Sequence, residues 1–118
     1  MSEICILLVE DDAMQRRQMA RVLKSEGYRV SECSSGDEAL RLLDEVEVTL
    51  VLTDMRIPGK DGIFLLKHIR RKHADIRVII MTGDPHEVFE PQPDALLLKP
   101  FTGRQLKELA RRLIKQEE

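Results

Sequence analysis

Four short apolar runs constrain the fold of this chain more than any other feature of its sequence. They occupy residues 4–9, 50–52, 78–81 and 95–98. Each run has the length of a strand and is nearly continuous rather than alternating, a pattern typical of strands buried on both faces of a parallel sheet. A fifth segment, residues 28–32, alternates more and is interpreted as an edge strand.

Helical patterns fill the intervals between the runs and predict an α/β fold. The apolar positions are Met19, Val22 and Leu23 in the first helix, Ala39, Leu40 and Leu43 in the second, Leu65, Leu66 and Ile69 in the third, and Leu106, Leu109, Ala110, Leu113 and Ile114 in the last. Ser34 or Ser35 is placed to cap the second helix and Thr102 the last. This alternation predicts a doubly wound, five-stranded parallel sheet with right-handed crossovers.

Residues 83–94 interrupt the alternation between the fourth and fifth strands. Three prolines within nine residues cannot lie inside a regular helix, although one or two turns could begin at Pro85. We therefore predict that the fourth helix is short or missing. If no helix covers them, Phe89 and Leu96 would form an exposed apolar patch.

Composition excludes several classes of function. The chain has 118 residues and a formal net charge of −2, so residues 1–118 fit one domain without a charge excess that would attract nucleic acid or membranes. Aromatic residues make up only 3%, which argues against stacking on single strands. Cys5 and Cys33 lack metal-ligand spacing and indicate a reducing, cytoplasmic setting. We expect neither a membrane span nor a secretory signal.

Polar residues follow the apolar runs at the points where four of the predicted strands end. Glu10, Asp11 and Asp12 follow the first strand, Asp54 the third, Thr82-Gly83 the fourth and Lys99-Pro100 the fifth. In an open parallel sheet, functional residues collect beyond the carboxyl ends of the strands. Because the first and third strands are expected to be neighbours, their carboxylates should meet one hydroxyl and one ammonium at a single edge.

Such a cluster permits a narrow range of chemistry. Carboxylates held close together raise each other's pKa unless a cation joins them. Mg²⁺ needs few carboxylates, retains water and leaves room for a phosphoryl oxygen, and Mn²⁺ could substitute. The lack of His and Cys at this edge argues against zinc. A carboxylate can also attack phosphorus, with Lys99, Thr82 and backbone N–H groups near Gly83 neutralising charge.

Each of these residues has an ordinary structural explanation when it is taken alone. Asp12 is interpreted as the N-cap of the first helix, and the basic residues of that helix, including Arg16, as a solvated face. A lone Thr82 is more often a turn hydroxyl, and a lone Lys99 a solvated charge. Complementary groups at four strand ends are much harder to explain as caps, which favours a site of phosphoryl transfer.

Four segments in order resemble the motifs of response-regulator receiver domains (CheY-like) of two-component signal transduction. Residues 6–12 resemble the first strand with its acidic pair, and residues 52–59, with the Asp-Gly pair that follows, resemble the phosphoacceptor strand and loop. Residues 81–83 resemble the switch hydroxyl and its small neighbour, and residues 98–101 the lysine-proline-phenylalanine motif. The resemblance spans the whole chain and implies a flavodoxin-like sheet with strand order 2-1-3-4-5.

The resemblance also implies a role for each residue at the predicted edge. Asp54 would be the phosphorylated aspartate. Asp11 would bind Mg²⁺ directly, Glu10 would bind it mostly through water, and Arg56 would offer its backbone carbonyl.

The remaining residues would hold and report the phosphoryl group. Lys99 would bind it, and the Lys99–Pro100 peptide bond would be cis. Thr82, followed by Gly83, would move to hydrogen-bond the group. The donor would be a phosphohistidine on a sensor histidine kinase or a histidine phosphotransfer protein, and an effector protein or fused output domain would receive the signal. Such a domain catalyses its own phosphorylation and dephosphorylation and is a switch more than an enzyme with a separate substrate.

Two departures from the family pattern concern the output. Leu96 occupies the position, three residues before the lysine, where an aromatic switch residue is usual. An aromatic ring that swings inward behind Thr82 therefore cannot be the signal in this chain. Residues 83–94 are also shorter than usual and rich in proline.

Two alternatives stay open on the sequence alone. An aspartate-nucleophile phosphatase also uses Asp, Thr and Lys on a parallel sheet, but it usually carries a second aspartate two residues after the nucleophile, where this chain has Arg56. A degenerate receiver would act only as a protein-binding module, and the altered output segment gives that alternative some weight.

Overall fold

A computed structural model describes residues 3–115 of the chain. Within them the strands are β1 (Cys5–Val9), β2 (Arg29–Cys33), β3 (Leu50–Asp54), β4 (Arg77–Thr82) and β5 (Ala95–Leu98). The helices are α1 (Ala13–Ser25), α2 (Gly36–Glu45), α3 (Gly62–Lys72) and α4 (Gly103–Lys115). None of these helices combines the length and the apolar character that crossing a membrane requires.

The strands form one parallel sheet in the order β2-β1-β3-β4-β5, which confirms the predicted order. β1 lies between β2 and β3, with Ile6 opposite Val30 on one side and Leu50 on the other. All of β1 is buried, whereas most of β2 is partly exposed, as expected for an edge strand. This order places the carboxyl ends of β1 and β3 side by side.

Helices pack on both faces of the sheet and create two cores. α1 and α4 cover one face, where Leu23 and Ala110 are fully buried. α2 and α3 cover the other face, where Leu66 is fully buried. Successive strand residues point to opposite faces, so β1 sends Leu8 into the first core and Leu7 into the second. This two-sided burial explains why the central strands are continuous apolar runs in the sequence.

Side-chain caps define where the helices begin. The side chains of Asp12, Ser35, Asp61 and Thr102 each accept a hydrogen bond from the backbone N–H three residues later, at 2.9, 3.2, 2.9 and 3.1 Å. The N–H of Thr102 donates in return to the side chain of Gln105 at 2.8 Å, which completes a capping box. The interpretation of Asp12 as a helix cap is confirmed.

Residues 83–94, all of which are described, contain turns but no helix. The prediction that the fourth helix is short or missing is therefore confirmed. The expected exposure of Phe89 was wrong, because its side chain is only 3% exposed and joins the core on the α2–α3 side of the sheet. One aromatic ring thus fills part of the space that a helix would otherwise cover.

Asp94 anchors the end of this segment to β4. Its N–H donates to Val78 O at 2.9 Å, and its Oδ2 accepts a hydrogen bond from Val78 N at 2.8 Å. The same oxygen accepts from Arg70 at 3.0 Å, and Arg77 NH1 lies 3.6 Å from Oδ1. Pairing between β4 and β5 starts only at the next residue, Ile79, so a carboxylate satisfies the buried N–H that β5 does not reach.

The apolar run of β5 was expected to be buried on both faces, and this expectation was wrong. Leu97 is buried, but Leu96 and Leu98 are 37% and 44% exposed. Both point to the face that residues 83–94 leave without a helix, and β5 is an edge strand. The exposed apolar pair on this side is therefore Leu96 and Leu98. The prediction that Leu96 is exposed is confirmed, and Phe89 does not belong to the pair.

Candidate functional site

The carboxyl ends of β1 and β3 bring three carboxylates together. One oxygen from each of Glu10, Asp11 and Asp54 lies within 4.8 Å of the other two. Strand register explains the meeting, because Val9 pairs with Thr53 and the next residue of each strand is an acid. Glu10 is buried, Asp54 is partly exposed and Asp11 is exposed, so the cluster opens to solvent on one side.

Glu10 is a buried acid with an unused ligand atom. Its Oε2 accepts a hydrogen bond from Asp12 N at 3.1 Å, whereas its buried Oε1 receives none from the described residues. Lys99 Nζ lies 3.6 Å from Oε1. Burial raises the pKa of Glu10, and the charge of Asp54 adds to that effect, although the Asp12 N–H and Lys99 oppose it. A hard divalent cation would bind to the unused oxygen of Glu10 and relieve the repulsion between the carboxylates. The three carboxylates therefore fit such an ion.

Lys99 reaches the cluster from the end of β5. Its ammonium hydrogen-bonds to Asp54 Oδ2, and its backbone N–H donates to Thr82 O at 2.8 Å. Burial alone would lower the pKa of Lys99, but the hydrogen bond to Asp54 and the charges of Asp54 and Glu10 outweigh burial and raise it. Lys99 is therefore a cation at neutral pH. The Lys99–Pro100 peptide bond is cis, as the resemblance implied.

The loop after β3 closes another side of the cluster. Arg56 N donates to Asp54 Oδ1 at 3.3 Å, while the Arg56 side chain is exposed. A β-carbon at Gly62 would lie 2.9 Å from Asp54 O, so α3 begins directly against the backbone of the aspartate. Asp11 and the loop line an open cavity of ≈ 360 Å³ beside the carboxylates.

The N-terminus of α2 braces this loop from behind. Gly36 N donates to Pro58 O at 3.2 Å, and the carbonyl of Lys60 occupies the space that a β-carbon at Gly36 would need. Gly59 has a φ of +77°, and a β-carbon there would lie 2.6 Å from Asp37 Oδ2. Both glycines therefore permit the close approach of α2 and the loop.

Thr82 lies at the end of β4, but its hydroxyl bonds away from the cluster. Oγ1 donates to Glu87 Oε1 at 2.8 Å and accepts from Asp84 N at 3.2 Å. Gly83 is exposed, with open space where a β-carbon would stand. Leu96 lies on β5 opposite the β4 residue two before Thr82, and its side chain is partly exposed rather than turned into the site.

Two contacts were not anticipated from the sequence. Arg16, which was interpreted as part of a solvated face, donates from its guanidinium to Glu10 O at 2.8 Å and lies 3.5 Å from Glu32. Its position one turn after the Asp12 cap was the available signal, since that spacing lets the side chain reach back to β1. The Glu87 contact had no sequence signal, because residues 83–94 follow no regular period.

The fold and the cluster define a flavodoxin-like domain with an acidic site at the carboxyl edge of its sheet. The model of the response regulator receiver domain matches residues 6–111. The chain therefore belongs to the receiver domain family of two-component systems. Receiver domains generally bind Mg²⁺, and the regulators that contain them work with histidine kinases.

The chain is similar to regulators of different lengths. It is 34% identical over 114 residues to the aerobic respiration control protein ArcA of Escherichia coli strain K12. The aligned residues cover 92% of this chain and 48% of ArcA, so the chain spans about half of that relative. It is 35% identical over 106 residues to the response regulator receiver protein CpdR of Brucella abortus strain 2308, which covers 86% of this chain and 88% of CpdR. The signal receiver domain of an HD domain-containing protein from Pseudomonas fluorescens Pf-5 has a TM-score of 0.91 at 25% identity, covering 98% of both chains.

Proposed function

We propose that Asp54 accepts a phosphoryl group in a Mg²⁺-dependent reaction and thereby switches the interactions of this receiver domain with partner proteins. One arrangement carries the proposal: the carboxylates of Glu10, Asp11 and Asp54 meet at one edge, the buried Oε1 of Glu10 receives no hydrogen bond from residues 3–115, and Lys99 binds Asp54. A carboxylate is a competent nucleophile toward phosphorus when it is positioned in line and the charge is neutralised.

The residues present fit a bound magnesium ion. Glu10, Asp11 and Asp54 would supply carboxylate oxygens. Arg56, whose N–H donates to Asp54, would supply its backbone carbonyl. Mn²⁺ accepts the same oxygen ligands. When bound, the ion supplies neutralisation of charge on the phosphoryl oxygens.

Asp54 and Lys99 would carry the transfer itself. A carboxylate oxygen of Asp54 forms a bond to phosphorus while the bond from phosphorus to the donor histidine nitrogen breaks. The imidazole keeps the electron pair of the broken bond and takes up a proton. Because Lys99 is already hydrogen-bonded to Asp54, a short movement brings its ammonium to a phosphoryl oxygen. Thr82 would bond a second oxygen, and the open space at Gly83 leaves room for the group.

The partners of the domain follow from this chemistry. The donor is a phosphohistidine on a sensor histidine kinase or a histidine phosphotransfer protein, and the signal passes to an effector protein or a fused output domain. Residues 1–118 would act as one receiver domain. Cys5 and Cys33 are buried free thiols, which favours a cytoplasmic setting. The net charge of −2 favours protein partners over nucleic acid or membranes.

Labelling with acetyl phosphate tests the proposal. Wild-type protein with Mg²⁺ is expected to gain one base-labile phosphoryl group, mapped to Asp54 by mass spectrometry, and to gain none in EDTA. Asp54→Asn should stay unlabelled. Asp75→Asn, an exposed aspartate just before β4 at the opposite edge of the sheet, should label like wild type. Absence of label in wild type would refute the proposal.

Wild-type protein and the Asp54→Asn variant also distinguish the two alternative functions. Steady hydrolysis of a small phosphomonoester without a labelled intermediate would favour the aspartate-nucleophile phosphatase. Equal partner binding by wild type and Asp54→Asn, with and without phosphodonor, would favour a degenerate receiver that acts only as a protein-binding module.

A further inference from the structure

Thr82 commits its only hydroxyl proton to a residue outside the acidic cluster. Oγ1 donates to Glu87 Oε1 at 2.8 Å, a hydrogen bond to a charged acceptor. The same oxygen accepts from Asp84 N at 3.2 Å, so its orientation is held on two sides. A threonine hydroxyl has one donor hydrogen and therefore cannot serve Glu87 and a phosphoryl oxygen at the same time.

Glu87 is presented by a short stretch of loop with anchored ends. On one side, Asp84 Oδ1 accepts from His86 N at 2.9 Å, which closes a tight turn. On the other side, Phe89 is buried in the core, whereas Val88 is 83% exposed. The Thr82 hydroxyl thus ties residues 84–88 to the end of β4 through two hydrogen bonds, one to Glu87 and one from Asp84 N.

We propose that Glu87 is a positioning residue that competes with the phosphoryl group on Asp54 for the Thr82 hydroxyl, so that phosphorylation releases residues 84–88. This inference rests on the proposed function and names how the site is reported. In the unphosphorylated protein, Glu87 holds the proton. After phosphorylation the phosphoryl oxygen takes it, and Glu87, now without its donor and near added negative charge, turns to solvent.

A carboxylate relay of this kind does not need an aromatic switch residue. Leu96 offers no ring, and it lies partly exposed on the edge strand. Thr82 and Glu87 are five positions apart on one continuous stretch of chain, so the hydroxyl acts on the loop directly.

Binding of beryllofluoride, a phosphoryl mimic, measures the competition by calorimetry in the presence of Mg²⁺. Glu87→Ala removes the competitor and should bind beryllofluoride about tenfold more tightly, the effect of losing one hydrogen bond to a charged group. Glu87→Gln keeps a neutral acceptor and should show a smaller gain. Glu90→Gln removes one negative charge from the same segment and should show none.

A double-mutant cycle excludes a merely structural role for Glu87. In a Thr82→Val background the gain from Glu87→Ala should disappear, because no hydroxyl is left to release. In a Thr82→Ser background, which retains the hydroxyl, the gain should persist. A general loosening of the loop would give the same gain in all backgrounds.

Amide hydrogen exchange gives a readout that needs neither metal nor phosphodonor. In Mg²⁺-free protein, Glu87→Ala and Thr82→Val should each raise exchange within residues 84–88 and leave β4 protected. Unchanged or weaker beryllofluoride binding by Glu87→Ala, or an equal gain in Glu90→Gln, overturns the inference and leaves the proposed function standing. A wild type that neither binds beryllofluoride nor labels at Asp54 overturns the proposed function itself.

Discussion

Replacement of Glu10 by glutamine is expected to make the protein more stable without Mg²⁺ and less stable than wild type with it. Glu10 is only 1% exposed, and one of its oxygens lies within 4.8 Å of one oxygen of Asp11 and one of Asp54. Burial raises its pKa, which means that the ionised side chain is less favourable in the folded protein than in the unfolded chain.

Burial is the largest cause of the raised pKa of Glu10, and the charges around it give the part of the effect that can be worked out from distances. At the limiting separation of 4.8 Å, each neighbouring carboxylate would repel Glu10 by about 3.5 kcal/mol in an effective dielectric constant of about 20. Lys99, at 3.6 Å, attracts Glu10 by about 4.6 kcal/mol on the same scale. The net repulsion of about 2 kcal/mol falls to about 1 kcal/mol because Asp11 is exposed and its charge is screened.

Urea unfolding, followed by circular dichroism in EDTA and in excess Mg²⁺, measures both signs. In EDTA, Glu10→Gln should have a free energy of unfolding about 1 kcal/mol above that of wild type. With Mg²⁺ at about 100 times its dissociation constant, wild type should gain about 2.7 kcal/mol, and the glutamine variant should gain clearly less.

Glu47→Gln provides the matched control, since Glu47 is an exposed acid in the loop before β3, at the opposite edge of the sheet. It should change neither stability in EDTA nor the gain from Mg²⁺. A glutamine variant that is less stable than wild type in EDTA, or that gains as much from Mg²⁺, would show that the three carboxylates do not form a shared cation site.

Three further predictions concern the framework of the site. Asp94→Ala should lower the free energy of unfolding by about 2–3 kcal/mol in urea titrations, because Val78 N–H loses its acceptor, and Asp94→Asn by about 1 kcal/mol. Burial lowers the pKa of His68 below its ordinary value of 6.5, so the unfolded chain binds the proton first. Stability should therefore be complete above about pH 6.5 and fall as the pH drops through the lowered pKa, a slope that His68→Gln removes. Gly36→Ala should weaken Mg²⁺ binding about tenfold in calorimetry, because its β-carbon must displace the Lys60 carbonyl and the loop.

Matched control variants show which results would contradict these three predictions. Asparagine keeps an acceptor oxygen for Val78 N–H, and alanine does not. If Asp94→Asn lowers the free energy of unfolding as much as Asp94→Ala, the loss of that acceptor does not explain the effect, and the stated reason is wrong. His86→Gln, at an exposed position, should keep the pH slope. Gly103→Ala, whose β-carbon would have ordinary contacts, should leave Mg²⁺ affinity unchanged, and the loop argument fails if Gly36→Ala does the same.

Most of the acid cluster could be predicted without side-chain coordinates. The central strands are buried on both faces and so appear as continuous apolar runs, which locates their carboxyl ends in the sequence. Because those ends share one edge of a parallel sheet, Glu10, Asp11, Asp54 and Lys99 were expected to meet, and the structure brings them together. Because strands and helices have regular geometry, the position of a residue in the sequence predicts where it lies in the fold for these elements.

The wrong predictions of burial concern residues that lie in or beside residues 83–94, a segment without a helix or strand. Phe89 was expected to be exposed because no helix covers it, yet the loop turns its ring into the core. Leu98 was expected to be buried because its run is continuous, yet the same loop leaves its face open, as was expected for Leu96. The Glu87 contact also depends on the path of residues 83–94, which no hydrophobic period specifies.

The absence of a helix between β4 and β5 has a practical consequence for engineering. Asp54, its acidic neighbours and Lys99 lie at strand ends outside residues 84–94, so the interior of that segment can be exchanged without touching them. A graft would have to provide a carboxylate that reaches Thr82 and a ring that fills the place of Phe89, and it would have to end at Asp94. Within those limits, we expect the loop between β4 and β5 to accept new sequences.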